Sequence, residues 1–323
     1  MRTRCTRREF LTAAGAAGVL LAGGCSSDQS GADGPSGPVN IAHAFGKTTV
    51  PAKPQRVVSA GFTEQDSLLA VGVVPIATTE WFGAEPFAVW PWARSALGNA
   101  QPEVLSLADG IQLDRIAALR PDLIVATNAG VDADTYEKLS AIAPTLPQSG
   151  GAAFFEDWKD QANTIGIATF GQDAMKALIT AVDDKFVAAG AEHQQFKDKL
   201  VLLLAGAPWQ GAITATLPGW RTEFLTQMGF VVADGLAAFT DGDRARVPLD
   251  RLGPALDDAD VVIWTTESDA EQAALLADPT VADLGTRNVF TTRELAAAIA
   301  FASPLSYPLV ADQLPALLAT ALG

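Results

Sequence analysis

The chain is poor in the residues on which most active-site chemistry depends. Of its 323 residues two are Cys, two are His and two are Tyr. Both cysteines, Cys5 and Cys25, lie at the N-terminus. Everything after them lacks a thiol, which excludes a disulfide, a cysteine nucleophile and a cysteine-based metal site. His43 and His193 stand far apart, one in a predicted hairpin and one at a predicted helix end, and both read as structural or solvated. A zinc or haem site would have to rest on carboxylates, a lone His, or Tyr136 or Tyr307. No G-x-S-x-G turn, Walker lysine loop or G-x-G-x-x-G after a strand occurs. Acidic side chains are plentiful, but no pair of them stands out as a catalytic acid and base. An enzyme is therefore not expected. Basic residues are scarce: 22 Lys and Arg against 37 Asp and Glu give a net charge of -15, unsuited to a run of nucleic-acid phosphates.

What is present begins with an export leader. In "MRTRCTRREFLTAAGAAGVLLAGGC" a basic start (Arg2, Arg4, Arg7, Arg8) precedes about a dozen apolar and small residues, too few to span a bilayer. Thr6-Arg7-Arg8-Glu9-Phe10-Leu11 fits a twin-arginine export signal. Leu21-Ala22-Gly23-Gly24-Cys25 fits a bacterial lipobox, with a plain cleaved signal peptide as the competing reading. On the lipobox reading residues 1–24 are removed and Cys25 is acylated, while 25–38 ("CSSDQSGADGPSGP") form a flexible tether at the membrane surface. Removal takes the four arginines and Glu9, leaving 18 basic and 36 acidic side chains and a charge of about -18.

Beyond the tether, residues 39–50 alternate around Phe45-Gly46-Lys47 as a hairpin does. Strands are predicted at 56–60, 73–78 and 123–127, and helices at 64–71, 114–119 and 133–142, with an irregular aromatic-rich stretch over 79–106. Residues 173–193 differ: Met175, Leu178, Ile179, Val182 and Phe186 keep helical spacing with no breaker before Gly190, and such a helix would be roughly 30 Å long. Alternation then resumes, with strands at 200–205, 261–265 and 288–291 and helices at 223–228, 271–276 and 309–322. Strands alternating with helices point to an α/β fold with parallel sheets. One pattern occurs twice, on either side of the long helix: "LDRIAALRPDLIVATN" from Leu113 and "LDRLGPALDDADVVIWTT" from Leu249. Its two acids are eight positions apart in the first copy (Asp114, Asp122) and ten in the second (Asp250, Asp260). Read alone, the first acid of each copy is a residue of a first helical turn, favoured by the helix dipole and available to cap free amides.

In open α/β sheets ligands bind outside the carboxyl ends of strands. The residues there are Phe62, Thr63 and Glu64 after the first strand; Trp81, Phe82, Trp90, Trp92 and Arg94 after the second; and Trp209, Trp264 and Arg293 in the second half. Each has a plainer reading. Thr63-Glu64-Gln65-Asp66 fits a capping box, Trp264 in an apolar strand fits a core, and the loop tryptophans fit anchors. The four aromatics Trp81, Phe82, Trp90 and Trp92, clustered near one predicted cleft, point to a binding platform.

The segments "AHAFGKTTVPAKPQRVVSAG", "SLLAVGVVPIATTEWFG", "VWPWARSALG", "LDRIAALRPDLIVATNAG", "YEKLSAIAPT", "WRTEFLTQMGF" and "SPLSYPLVADQL" are together specific. Through them the mature chain resembles the ferric-siderophore substrate-binding lipoproteins of ABC importers, in their actinobacterial, ferric-citrate-like form. The resemblance implies two Rossmann-like α/β lobes, 39–172 and 195–323, bridged by a single long α-helix over 173–194, the class III periplasmic-binding-protein architecture. It implies a monomer with a ligand cleft between the lobes and no intrinsic cofactor, because the siderophore itself holds the iron. It places Asp114 and Asp250 as handles for an ABC permease, and it brings in Arg221 and either Arg244 or Arg246 as positive charges. With few arginines and many aromatics, a larger and less charged chelate than ferric dicitrate is expected. Haem on the same scaffold is the alternative, with Tyr307 or Tyr136 as axial ligand or with flat stacking on tryptophans.

Overall fold

A computed structural model describes residues 37–323, so the leader, Cys25 and most of the tether lie outside the described residues. The first element is the hairpin of β1 (Val39–His43) and β2 (Gly46–Val50), antiparallel with Val39 opposite Val50. Ile41, His43, Thr48 and Val50 point inward, as the alternation requires. His43 is structural: its Nε2 lies 3.0 Å from Thr48 Oγ1 and 3.2 Å from the Tyr136 hydroxyl.

Five parallel strands follow: β3 (Val57–Ser59), β4 (Ala77–Glu80), β5 (Glu103–Ser106), β6 (Leu123–Ala126) and β7 (Thr145–Pro147), in the order β5-β4-β3-β6-β7. β3 and β6 are buried at every position, as strands covered on both faces must be. The cover is supplied by α1 (Glu64–Ala70), α2 (Arg94–Leu97), α3 (Leu113–Leu119), α4 (Ala133–Ser140) and α5 (Trp158–Ala168). The predicted strand over 73–78 begins only at Ala77, because Pro75 has no N–H to donate to a ladder. The stretch over 79–106 is less irregular than expected, since it holds α2 and β5.

The long helix is α6 (Gln172–Glu192), 21 residues. Its buried face, Met175, Ile179, Val182, Phe186 and Ala189, belongs to one core that also takes Trp158 and Ala162 from before it and Val201, Phe224 and Leu314 from after it. One apolar stripe thus packs against both halves of the chain.

The second sheet is mixed. β8 (Leu200–Ala205), β13 (Val261–Thr265) and β14 (Asn288–Phe290) are parallel, while β9 (Ala212–Thr216), β11 (Thr240–Asp241) and β12 (Arg244–Pro248) add antiparallel strands in the order β11-β12-β9 beside β8. β10 (Val231–Val232) pairs with the start of β8. This antiparallel part is an addition to the parallel pattern read from the sequence. It begins at a two-residue hairpin in which Gln210 (φ 50°) and Gly211 (φ 75°) are both left-handed, the backbone that suits strand twist. Helices α7 (Glu223–Gln227), α8 (Leu252–Asp257), α9 (Asp269–Leu276), α10 (Pro279–Ala282), α11 (Arg293–Phe301) and α12 (Tyr307–Leu322) complete this half.

The repeated passage now has a physical basis. Each copy leads into the strand that pairs with the first strand of its sheet: β6 beside β3, and β13 beside β8. The second acid of each copy holds that neighbour's entry. Asp122 accepts the backbone N–H groups of Gln55 and Arg56, both at 2.8 Å, and Asp260 accepts that of Leu200 at 2.8 Å. The exits match as well. Gly61, just past β3, has no room for a Cβ, which would lie 2.6 Å from the Asn128 carbonyl oxygen; at Gly206, past β8, a Cβ would lie 2.3 Å from that of Thr265. Gly206→Ala is therefore expected to cost about 1–3 kcal/mol, as overpacking against rigid backbone does. A urea midpoint equal to that of the wild type would show that these strand ends yield freely.

Candidate functional site

In each sheet the chain order reverses beside the first strand, between β3 and β6 and between β8 and β13. Crevices for ligands open at such switch points. The loops past β3 and β6 are tied together from below by Glu64. Its Oε1 accepts the Asn128 N–H at 2.8 Å and the Thr127 hydroxyl at 3.3 Å, and its Oε2 accepts the Thr63 N–H at 3.2 Å. Glu64 is wholly buried, and burial pushes its carboxyl up to about 7 against the opposing hydrogen bonds. Asn128 in turn fixes the next loop, accepting the Phe155 N–H at 2.9 Å.

Above these loops lies an aromatic wall. Phe62 stacks on Trp81 (5.7 Å, 21°) and on Phe154 (5.8 Å, 18°), and Trp81 meets Phe155 at 5.0 Å. Facing it from the second half is a cavity of about 210 Å³ lined by Thr214, Thr216, Thr265, Arg221 and Arg244, among others. A larger cavity of about 610 Å³ lies between residues 149–157 and Trp220, Arg221, Asp243 and Arg244. The two share Arg221 and Arg244, so they form one cleft between the halves. The Arg221 guanidinium sits 4.2 Å from the Trp220 ring and 5.2 Å from that of Phe155. Its Nε donates to Asp243 Oδ2 at 2.6 Å, and its Nη2 reaches the Phe155 carbonyl across the cleft at 3.4 Å.

Several expected site residues are elsewhere. Thr63 is buried; its hydroxyl donates to Gln161 and accepts from Asn128, with no side-chain cap on α1, so the capping box does not form. Glu64 lies beneath the cleft rather than in it. Trp90 is buried against Ala297 and Phe301 of α11, with Arg293 over its ring at 4.9 Å. Trp92 stacks on Trp90 and donates its indole N–H to Asp66 at 2.8 Å. Both tryptophans pack against Phe301 of the second half, and Phe82 sits between Trp81 and Trp90 as part of the same packing. Arg94 pairs with Glu85 on a separate groove beside Phe87 and Leu97. Trp264 is core, its indole N–H donating to Asn288 Oδ1 at 2.8 Å. Trp209 is 68% exposed at the tip of the β8–β9 hairpin, and Arg246 reaches Gln210 there. Of the two alternative arginines, Arg244 lines the cleft.

Tyr307 is also core, packed against Trp158, Phe186 and Phe224, and burial pushes its phenol far above the ordinary range. Tyr136 is bonded to His43 and Thr48 under the hairpin. Neither offers haem an axial oxygen, so the haem alternative is not favoured. Among the described residues no group of three His, Asp or Glu side chains is arranged to hold a metal. The cleft residues missed from the sequence are Phe154, Phe155, Trp220 and Asp243. The paired phenylalanines in "GGAAFFED" were the visible signal, a bulky pair in a glycine-rich loop.

The chain matches the family of periplasmic binding proteins over residues 57–292, most of its length. It belongs to that family. It is 60% identical to a periplasmic solute-binding protein of Mycobacterium smegmatis, covering 90% of this chain and all of that one with a TM-score of 0.84. It is 25% identical to a putative ABC transporter substrate-binding lipoprotein, YhfQ, of Bacillus subtilis, over 76% of each chain. It is 27% identical to the ferric enterobactin-binding periplasmic protein FepB of Escherichia coli, over 67% of this chain and 68% of that one. Two α/β halves joined by one long helix make this the class III form of the fold, and the relatives are substrate-binding transport proteins rather than enzymes. Among the described residues no helix is long and apolar enough to cross a membrane.

Proposed function

We propose that the protein captures a ferric siderophore in the cleft between its halves and delivers it to an ABC permease. On this reading it is exported through its twin-arginine leader, acts as a monomer and is held by acyl chains on Cys25 at the outer face of the cytoplasmic membrane. The observation that carries the proposal is the cleft itself: aromatic rings on one side, Arg221 and Arg244 on the other, at the switch points of both sheets. The wall suits a chelate whose organic shell is apolar, and the arginines suit its polar edge. The siderophore wraps the iron, so no protein ligand to the metal is required. The names of the relatives, a substrate-binding lipoprotein and a ferric enterobactin-binding protein, support the same class.

Trp220 lines the cleft and should report occupancy through its fluorescence. Titration with ferric and iron-free siderophores should give saturable quenching with a ferric form and not with its iron-free partner. Phe154 is exposed, so Phe154→Ala should fold normally and lower affinity by about tenfold, the loss of one aromatic contact. Absence of quenching across hydroxamate, catecholate and citrate chelates would reject the proposal.

A further inference from the structure

We infer that Asp243 sets the charge class of the ligand, so that the cleft accepts a neutral or cationic ferric chelate of the hydroxamate type and disfavours anionic tris-catecholate and citrate complexes. The inference rests on the ferric-siderophore reading above.

Arg221 is the more buried of the two cleft cations, with 14% of its side chain exposed against 47% for Arg244. Its Nε is bonded to Asp243, its Nη2 is directed at the Phe155 carbonyl, and the rings of Trp220 and Phe155 lie 4.2 and 5.2 Å from it. A bidentate grip on an anionic ligand needs the donor fork free, and here Asp243 occupies part of it. The other oxygen of Asp243 lies 4.0 Å from Arg244 Nε, so one carboxylate serves both guanidiniums. Glu156 and Asp157 line the same cavity and add two more carboxyl groups. Two cations against three acids leave no positive excess, and the net charge of -15 on the chain adds a field of the same sign. A trianion entering this cleft would meet three carboxyl groups and find both arginines already paired with Asp243. A neutral chelate loses nothing by that balance and gains the rings of Phe154, Phe155 and Trp220, together with the hydroxyls of Thr214, Thr216 and Thr265.

The test measures the affinities of the purified protein for ferrichrome (a neutral trihydroxamate), ferric enterobactin (a trianionic tricatecholate) and ferric dicitrate. Ferrichrome should bind at least about tenfold more tightly than either anion. Asp243→Asn, a near-isosteric change at a half-exposed side chain, should release Arg221 and shift the ratio toward the anions by about tenfold. Arg244→Gln should move it the other way. Tighter binding of an anion by the wild type, or a ratio that Asp243→Asn leaves unmoved, would overturn the inference while leaving the siderophore reading in place. Binding of none of the three would overturn that reading, and the inference with it.

Discussion

Reversing both exposed acids of the repeat, Asp114→Lys with Asp250→Lys, should abolish iron import while the purified double variant still binds its chelate. The expectation follows from what these carboxylates do not do. α3 is capped at Gln112 without a side-chain bond, and the short turn Leu249–Arg251 that carries Asp250 also has no side-chain cap, so the capping role read from the sequence is not realised. Both side chains are exposed, and neither forms an ion pair among the described residues. The second acids are by contrast engaged: Asp122 accepts two backbone amides, and Asp260 accepts one and pairs with Lys199. The pattern thus separates one structural acid from one unengaged acid in each half. The unengaged acids follow β5 and β12, strands that end on the cleft side of their sheets. A carboxylate paired with a cation across a desolvated interface is typically worth about 2–5 kcal/mol when one partner is removed, and two reversals should exceed a hundredfold loss of docking. Uptake of labelled iron by cells that depend on this protein is the measurement. Import at the wild-type rate would reject the docking role, and loss of chelate binding by the purified variant would assign the two acids to folding or to the cleft.

How far the sequence reaches depends on whether a feature is local. The hairpin, the long helix, β6, β8 and β13 were legible because each has its own hydrophobic period or an unbroken apolar run. α5 and α11 were not: "WKDQANTIGIA" interrupts its stripe with Asn and Gly, and "RELAAAIAF" is apolar almost all round, leaving no face to detect. The aromatic cluster was only partly legible, for a different reason. Strand ends were located to within about two residues, but Trp90 and Trp92 are covered by α11, which lies about two hundred residues further along the chain. No local pattern records that contact. Arg244 and Arg246 share a face of β12, and only their depth along the strand separates the cleft residue from the one at the hairpin tip. Asp243 escaped notice because an acid next to an arginine is common, and only its 2.6 Å contact with Arg221 makes it part of the site.

Glu64 carries the largest expected dependence on pH. Its carboxyl rises from an ordinary 4.5 to about 7, first because it is buried and despite three hydrogen-bond donors. Asp66, two residues on, is pushed up to about 6 by burial, although Ser303 and Trp92 donate to one of its oxygens; the other oxygen has no partner. Both shifts have the same sign. Between the unfolded and folded values the native state holds more protons than the unfolded chain, so stability falls as pH rises through that window. For Glu64 the contribution is complete below about 4.5 and lost above about 7. A shift of this size corresponds to on the order of 3 kcal/mol. Glu64→Gln keeps the shape and mimics the protonated acid, so its stability should lack this term. The wild type should lose about 3 kcal/mol relative to the variant between pH 4.5 and 7.5, read from urea midpoints at each pH. Parallel curves for the two proteins would mean that Glu64 is ionised throughout and that its three donors outweigh its burial. In that case the switch point of the first sheet would be held by a charged stitch rather than by a protonated acid.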